Sequence, residues 1–285
     1  MLDSQISITL EEFILFRNFI QKEFGIVLRD EDISLVESRL TRLMQDTKTD
    51  NFRDFYIKVK GDSTEKLKNN IIDSITTVET DWFRDIKPWM FFRERILPNY
   101  IDDLRNNRKE NIVIWSAGAS TGQEPYSIAM MVDDTVKKEP KIDKKQFFIL
   151  ATDISPSSLY IANSGRYTEK SMKNDMLSEY INKYFDKDEN IYEIKTEIKQ
   201  MIYFMKFNLL NKMDDLPTFD VIFCRNVANS FSYDMKVRLY KKLAEKMESK
   251  GYLFVGKEET LNSYTNEFER FEFQESSFYR LRKIV

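Results

Sequence analysis

The sequence predicts an α/β fold in which a mainly parallel sheet with an antiparallel edge stands behind a small N-terminal all-α domain. Three observations carry this. Apolar residues recur at helical spacing up to about residue 75, short apolar runs of strand type alternate with helical stretches from Asn111 onward, and the tail reads as two strands joined tightly. At 285 residues and 42% hydrophobic, with Gly 7 and Pro 6, the chain suffices for a small domain joined to a larger one, each with a core.

Thr9 followed by Glu12 is a capping-box signature, after which Phe13, Phe16, Phe19 and Ile20 fall on one helical face and Gly25 ends the helix. In "EDISLVESRLTRLMQD" a second helix is expected to turn Leu35, Val36, Leu40 and Leu43 inward and to leave Arg39 and Arg42 elsewhere. Further helices fill positions 52 to 75. Residues 1–75 are therefore expected to be a helical domain, 76–110 a helical linker and 111–285 the α/β domain.

In that last part "NIVIWS", "QFFILATD", "FDVIFC" and "GYLFVG" are the strands, with a helix over 234–248 among the connections. Strand–helix alternation gives a parallel sheet that binds ligands beyond the carboxyl ends of its strands. The tail "FERFEFQESSFYRLRKI" supplies two antiparallel edge strands.

Composition removes several kinds of chemistry. With His 0 and Cys 1, the sequence offers no Ser-His or Cys-His device, no internal disulfide and no expected zinc site. A net charge of -3 without a long basic run argues against nucleic acid. The acidic N-terminus "MLDSQISITLEEF" and the lack of an 18-residue apolar run point to a cytoplasmic chain without membrane insertion.

The stretch "WSAGASTGQEPYS" leads from the first strand through Gly118 and Gly122 into a helix with Pro125 in its first turn. Glycines at a strand end let a ligand approach the backbone. The spacing matches neither the dinucleotide fingerprint nor a Walker A loop, and Glu124 would repel a diphosphate but attract an ammonium group. Asp153 ends the second strand, where an acid accepts hydrogen bonds from ribose hydroxyls. Adenosine with a cationic amino-acid end describes S-adenosylmethionine. The alternative reading of these residues is a glycine turn and two helix caps.

"WSAGASTGQEPYSIAM", "ATDISPSSLYIANSGRY", "FNLL" and "FDVIFCRNV" resemble, in order, the motifs of the CheR-type chemotaxis receptor methyltransferases. "TTVETDWFRD" resembles that family's motif before the first strand, and "FGIVLRDEDISLVESRLTRL" its N-terminal helical domain. The resemblance implies a class I S-adenosylmethionine-dependent methyltransferase, Rossmann-like, that esterifies glutamate side chains on the cytoplasmic signalling domain of chemoreceptors and releases S-adenosylhomocysteine, with no metal. It implies that Glu124 meets the methionine amino group, Asp153 the ribose, and Asn208 with Leu209 the adenine. Asn226 and Val227 would lie beside the donor. Thr80 and Arg84 would close over it from the linker, with Arg84 as the catalytic candidate that steers the carboxylate. Arg39 and Arg42 are the candidates for docking the receptor helix, the alternative being a solvated face. Asn208 and Asn226 read alternatively as turn residues, and Leu209 as core.

The chain departs from the family's usual pattern at Val78, where an asparagine is common, and at Ser230, where a tyrosine is common; Tyr233 stands three residues later. Lys257 and Glu258 replace a Gly-His-Ser run, while Glu259 keeps the final acid. "NIYEIKTEIKQMIYFMKFNLL" resembles a small β insertion around 190–207 that in some members binds a receptor's C-terminal peptide, but "FDKDEN" has no glycine, so no tether is expected here. Two rival readings stand beside the enzyme: a cofactor-binding signalling module without transfer, and a methyltransferase for another substrate.

Overall fold

The computed structural model describes residues 6–76, 79–273 and 276–282. Four helices come first: α1 (Leu10–Phe24), α2 (Ile33–Thr47), α3 (Phe52–Gly61) and α4 (Lys66–Ile75). The capping box forms, with the Glu12 N–H donating to Thr9 Oγ1 and the Thr9 N–H to Glu12 Oε2. Gly25 closes α1 at φ 82°, a left-handed conformation that glycine adopts without Cβ strain. Phe13, Phe16, Phe19 and Ile20 are buried, and Phe16 packs on Phe55 and Tyr56 of α3 at ring distances of 5.8 and 5.5 Å.

The inward face of α2 differs from the expected one. Val36, Leu40 and Met44 are buried, whereas Leu35 is 39% exposed and Leu43 half-buried. The stripe follows i, i+4, i+8 from Val36, and Leu35 lies about 100° round the helix from it.

Ten strands follow: β1 (Ile112–Ala117), β2 (Phe147–Asp153), β3 (Arg166–Thr168), β4 (Phe185–Asp188), β5 (Ile191–Ile194), β6 (Ile202–Lys206), β7 (Phe219–Phe223), β8 (Met247–Phe254), β9 (Phe268–Phe273) and β10 (Ser276–Leu281). The helices between and before them are α5 (Ile86–Phe91), which runs through a π-helical turn at Phe92–Ile96 into α6 (Leu97–Arg105), then α7 (Gln123–Val136), α8 (Pro156–Ser164), α9 (Asp175–Tyr184), α10 (Thr196–Lys199) and α11 (Tyr233–Glu245). The main sheet has the order β6-β2-β1-β7-β8-β10-β9, parallel through β8, with β10 and β9 antiparallel at the edge.

Alternation along the strands builds two cores. Ile112, Ile114, Ile149, Val221 and Phe223 share one with residues of α5, α6 and α7, while Trp115, Ala117, Ile222 and Leu253 share the other with Leu239, Tyr240 and Leu243 of α11. β1 pairs with β2 on one side and β7 on the other, so strand order reverses there, and the crevice opens at its carboxyl end, beside Gly118.

The β insertion is placed differently from the expected 190–207. β3, β5 and β4 form a separate antiparallel sheet, whereas β6 belongs to the main sheet, with Ile202 opposite Ile149 and Lys206 opposite Asp153. β6 is an edge strand with Tyr203 68% exposed, so its pattern resembles that of a surface hairpin. Glu189, at φ 50°, takes the left-handed position in the β4–β5 turn that a glycine would ordinarily fill.

Candidate active site

A cavity of about 410 Å³ opens at the carboxyl ends of β1, β2 and β7. That is the size of small-molecule sites, ~300–1,000 Å³. Thr80, Arg84, Gly118, Glu124, Asp153, Asn208, Leu209, Asn226 and Val227 all line it. The helical domain supplies a further wall through Phe24, Ile26 and Ile75, continued by Thr76 at the start of the linker.

Gly118 has φ 84°, and a Cβ there would lie 2.3 Å from Val227 Cγ2, so the glycine lets the β1 and β7 loops meet at the cavity floor. Gly122 has another role than the ligand approach expected of it. It is not among the lining residues, and its Cβ would meet the Ala162 Cβ of α8 and the Tyr167 hydroxyl at 2.9 Å, so it allows close packing at the start of α7.

Glu124 sits in the first turn of α7, near the positive end of the helix dipole. Its Oε1 accepts from Ser116 Oγ at 2.8 Å, and Arg225 Nη1 lies 3.4 Å from its Oε2. Burial pushes its carboxyl above the ordinary range, against the opposing pull of Arg225 and Ser116.

Asp153 ends β2. Its two oxygens accept the N–H groups of Ser120 at 2.8 Å and Ser155 at 2.9 Å, while burial raises its pKa. Among the described residues no cation pairs with it. A half-buried carboxylate that faces a cavity with spare lone pairs suits hydroxyl donors of a ligand, so the residues present fit a ribose at this place and an ammonium group at Glu124.

Asn208 and Leu209 follow β6. The Asn208 amide donates to the Glu23 carbonyl of α1 at 2.8 Å and accepts from the Leu210 N–H at 2.9 Å, so it also fastens the helical domain to the sheet. Lys242 of α11 donates to the carbonyls of Leu209, Leu210 and Asn211 and fixes this loop. Leu209 is buried and belongs to the core as well as to the cavity wall.

Asn226 adopts φ 59°, and its N–H donates to Glu259 Oε2 at 2.8 Å, which also accepts from Gly256 N at 2.6 Å. With its amide turned so that the oxygen faces the Arg84 guanidinium, Asn226 accepts from it at 3.1–3.3 Å. Arg84 Nη1 also donates to the Glu79 carbonyl at 2.8 Å.

Other expected positions fall elsewhere. Arg39 and Arg42 are exposed on α2 outside the cavity, and Arg39 donates to the Ser74 carbonyl at 2.7 Å. Tyr233 does not line the cavity; it is 61% exposed, and its hydroxyl donates to the Ser263 carbonyl. Ser230 does line it, and its carbonyl accepts the Val27 N–H at 2.9 Å beside an Ile26–Phe231 bridge between the two domains. Val78 lies outside the described residues.

Sequence reasoning missed Arg225, which the same "CRNV" motif carries. Its side chain is 3% exposed and bonds Asp85 Oδ2 at 2.9 Å and the Arg84 carbonyl at 2.6 Å. A cation one residue before the motif asparagine was the available signal. Among the described residues no group of three or more His, Cys, Asp or Glu is arranged to hold a metal, and no helix is long and apolar enough to cross a membrane.

A parallel sheet of this order, with an antiparallel edge and an acid at the end of its second strand, defines a class I methyltransferase fold. Comparison with known proteins narrows this further. The model described as "CheR methyltransferase, SAM binding domain" matches residues 78–277, and "CheR methyltransferase, all-alpha domain" matches residues 11–76. The chain belongs to the CheR methyltransferase family. It is 35% identical over 278 residues to a chemotaxis protein methyltransferase of Vibrio anguillarum, covering 97% of this chain and 99% of that one. It is 31% identical over 272 residues to chemotaxis protein methyltransferase Cher2 of Pseudomonas putida, covering 95% and 98%. With the corresponding protein of Borreliella burgdorferi it shares 35% over 265 residues, 92% of each chain.

Proposed function

We propose that this protein methylates glutamate side chains on the cytoplasmic signalling domain of chemoreceptors, using S-adenosylmethionine and releasing S-adenosylhomocysteine in the cytoplasm. The observation that carries the reading is the single cavity wall on which Asp153, Glu124 and Arg84 meet in a chain of this family. The proposed division is a helical domain over 1–75, a covering linker over 76–110 and a transferase domain over 111–285.

The ligand supplies an electrophilic methyl group on a sulfonium, which a glutamate carboxylate accepts as an ester. That carboxylate is ionised at neutral pH, so the protein needs no general base, in keeping with His 0. In the proposed assignment Asp153 accepts the ribose hydroxyls and Glu124 the ammonium group. Phe207, Leu209 and Ile154 offer the apolar wall that an adenine requires. Arg84, held by Asn226 and the Glu79 carbonyl, orients the incoming carboxylate; Thr80, Gly118 and Val227 close the site against water. Arg39 and Arg42 are assigned to docking the receptor helix. No metal, nucleic acid or receptor-tail tether enters this scheme.

Calorimetric titration with S-adenosylmethionine and S-adenosylhomocysteine, repeated on Asp153→Ala, tests the ligand assignment. Micromolar binding that the substitution abolishes supports it. A folded protein that binds neither ligand rules it out.

A further inference from the structure

Arg225 is a buried guanidinium that touches three separate segments. Nη2 donates to the Arg84 carbonyl at 2.6 Å and to Asp85 Oδ2 at 2.9 Å, Nη1 reaches Glu124 Oε2 at 3.4 Å, and Cζ stands 5.6 Å from the Trp89 ring centroid. Trp89 Nε1 donates to the same Arg84 carbonyl at 2.9 Å. Arg84 itself sits in a turn whose flanking residues, Phe83 and Asp85, have φ of 45° and 56°. Left-handed values at two non-glycine positions persist only where partners hold them, and the Arg84 carbonyl between them accepts from both Arg225 and Trp89.

Arg225 is a costly way to fill this space. Among the described residues its Nε is buried without a partner, and an apolar side chain of similar volume would avoid burying a charge. What an apolar side chain would not do is bind two sites at once.

We propose that Arg225 is a positioning residue that joins the two working ends of the cavity, one edge of its guanidinium fixing the turn that presents Arg84 and the other holding the Glu124 carboxylate in place for the ligand's ammonium group. The inference rests on the methyl-transfer reading of this site and deepens it. A structural residue would lower stability alone; a positioning residue links the ionisation of Glu124 to the placement of Arg84.

The charged and polar groups that act on Glu124 are Ser116 on β1, Arg225 after β7, and Arg84 from the turn before α5, while buried Cys224 lies near enough for Glu124 to raise its thiol. Asp85 faces Arg225 rather than Glu124. Burial raises the Glu124 carboxyl and Arg225 is the foremost opposing group, so removing Arg225 lets Glu124 take up a proton at higher pH.

The test uses the full chain with Arg225→Gln and Arg225→Lys, measuring S-adenosylmethionine affinity across pH together with kcat on a receptor signalling fragment. In Arg225→Gln the acid limb of the affinity profile moves up by about one pH unit, a tenfold loss within that window, and kcat falls on the order of 10²-fold. Arg225→Lys keeps the limb but not kcat, because an ammonium group cannot hold the Arg84 carbonyl and Asp85 in a fork. Should Arg225→Gln fail to fold, that split in Arg225→Lys decides the matter. A uniform loss of affinity with an unmoved limb overturns the proposal.

Glu124→Gln, which keeps the acid fall that Asp153 gives but loses the part that Arg225→Gln displaces, assigns that part to Glu124. If the wild type binds no S-adenosylmethionine, the functional reading fails, and thermal denaturation without ligand still decides the role of Arg225 in holding Glu124. There, the pH-dependent effect of Glu124→Gln is displaced upward in the Arg225→Gln background; an undisplaced effect overturns the inference.

Discussion

The Asp73 carboxylate of α4 accepts a hydrogen bond from the Ser155 hydroxyl at 2.6 Å and another from the Ser157 N–H at 3.3 Å, so the helical domain caps a helix of the sheet domain. Ser155 is also the residue whose N–H fixes Asp153. The two domains are thus joined at the acid proposed to hold the ribose.

Asp73→Ala removes this cap without touching the cavity wall. A lost cap costs about 1 kcal/mol, and S-adenosylmethionine affinity should fall several-fold because Ser155 no longer orders the Asp153 loop. Calorimetry and thermal denaturation check both; unchanged affinity would separate the domain contact from the site.

Much of this was legible in the sequence, for identifiable reasons. Glycines and acids at strand ends are local signals, and Gly118, Glu124 and Asp153 lie where "WSAGASTGQEPYS" and "ATDIS" suggested, on one cavity. The two edge strands followed from alternation in the tail. Three-dimensional pairing was not local. β6 joins the main sheet because Ile202 finds Ile149, which its own residues do not announce. Arg225 was hidden because its importance lies in reaching Arg84, 141 positions away. The wall of Phe24 and Ile26 was equally hidden, since it exists only once the helical domain has docked.

Two glycines separate steric need from mere occurrence. Gly118→Ala at φ 84° drives a Cβ into Val227, so it should cost about 1–3 kcal/mol and weaken the ligand. A Cβ at Gly61 in the last turn of α3 meets nothing within 4 Å, and Gly61→Ala should stabilise by about 0.4–1 kcal/mol with affinity unchanged. Denaturant titration of both variants compares them; equal effects would contradict the packing account.

Burial holds the Asp153 carboxyl above its ordinary range, so folding favours its protonated form. Its contribution to stability is fully present below the unfolded pKa and is lost as pH rises through the raised folded value. The stability of wild type relative to Asp153→Ser should therefore decline as pH rises above the ordinary aspartate range, about pH 4. Thermal melts across that rise give the slope, and a constant gap would contradict it. Ligand affinity runs the other way, falling in acid as Asp153 and Glu124 lose charge.

Arg39→Glu and Arg42→Glu alter exposed groups outside the cavity. If these arginines dock an acidic receptor helix, KM for the receptor rises about tenfold or more and the effect shrinks with added salt. S-adenosylmethionine affinity stays as in the wild type. Unchanged receptor kinetics would return both residues to a solvated face.

The central claim is methyl transfer to receptor glutamate, and the measurement closest to it is incubation of the purified protein with methyl-labelled S-adenosylmethionine and a chemoreceptor signalling fragment. The account predicts label on the fragment, released by mild base as methanol and abolished by Asp153→Ala. A protein that binds S-adenosylmethionine yet leaves the fragment unlabelled would contradict it.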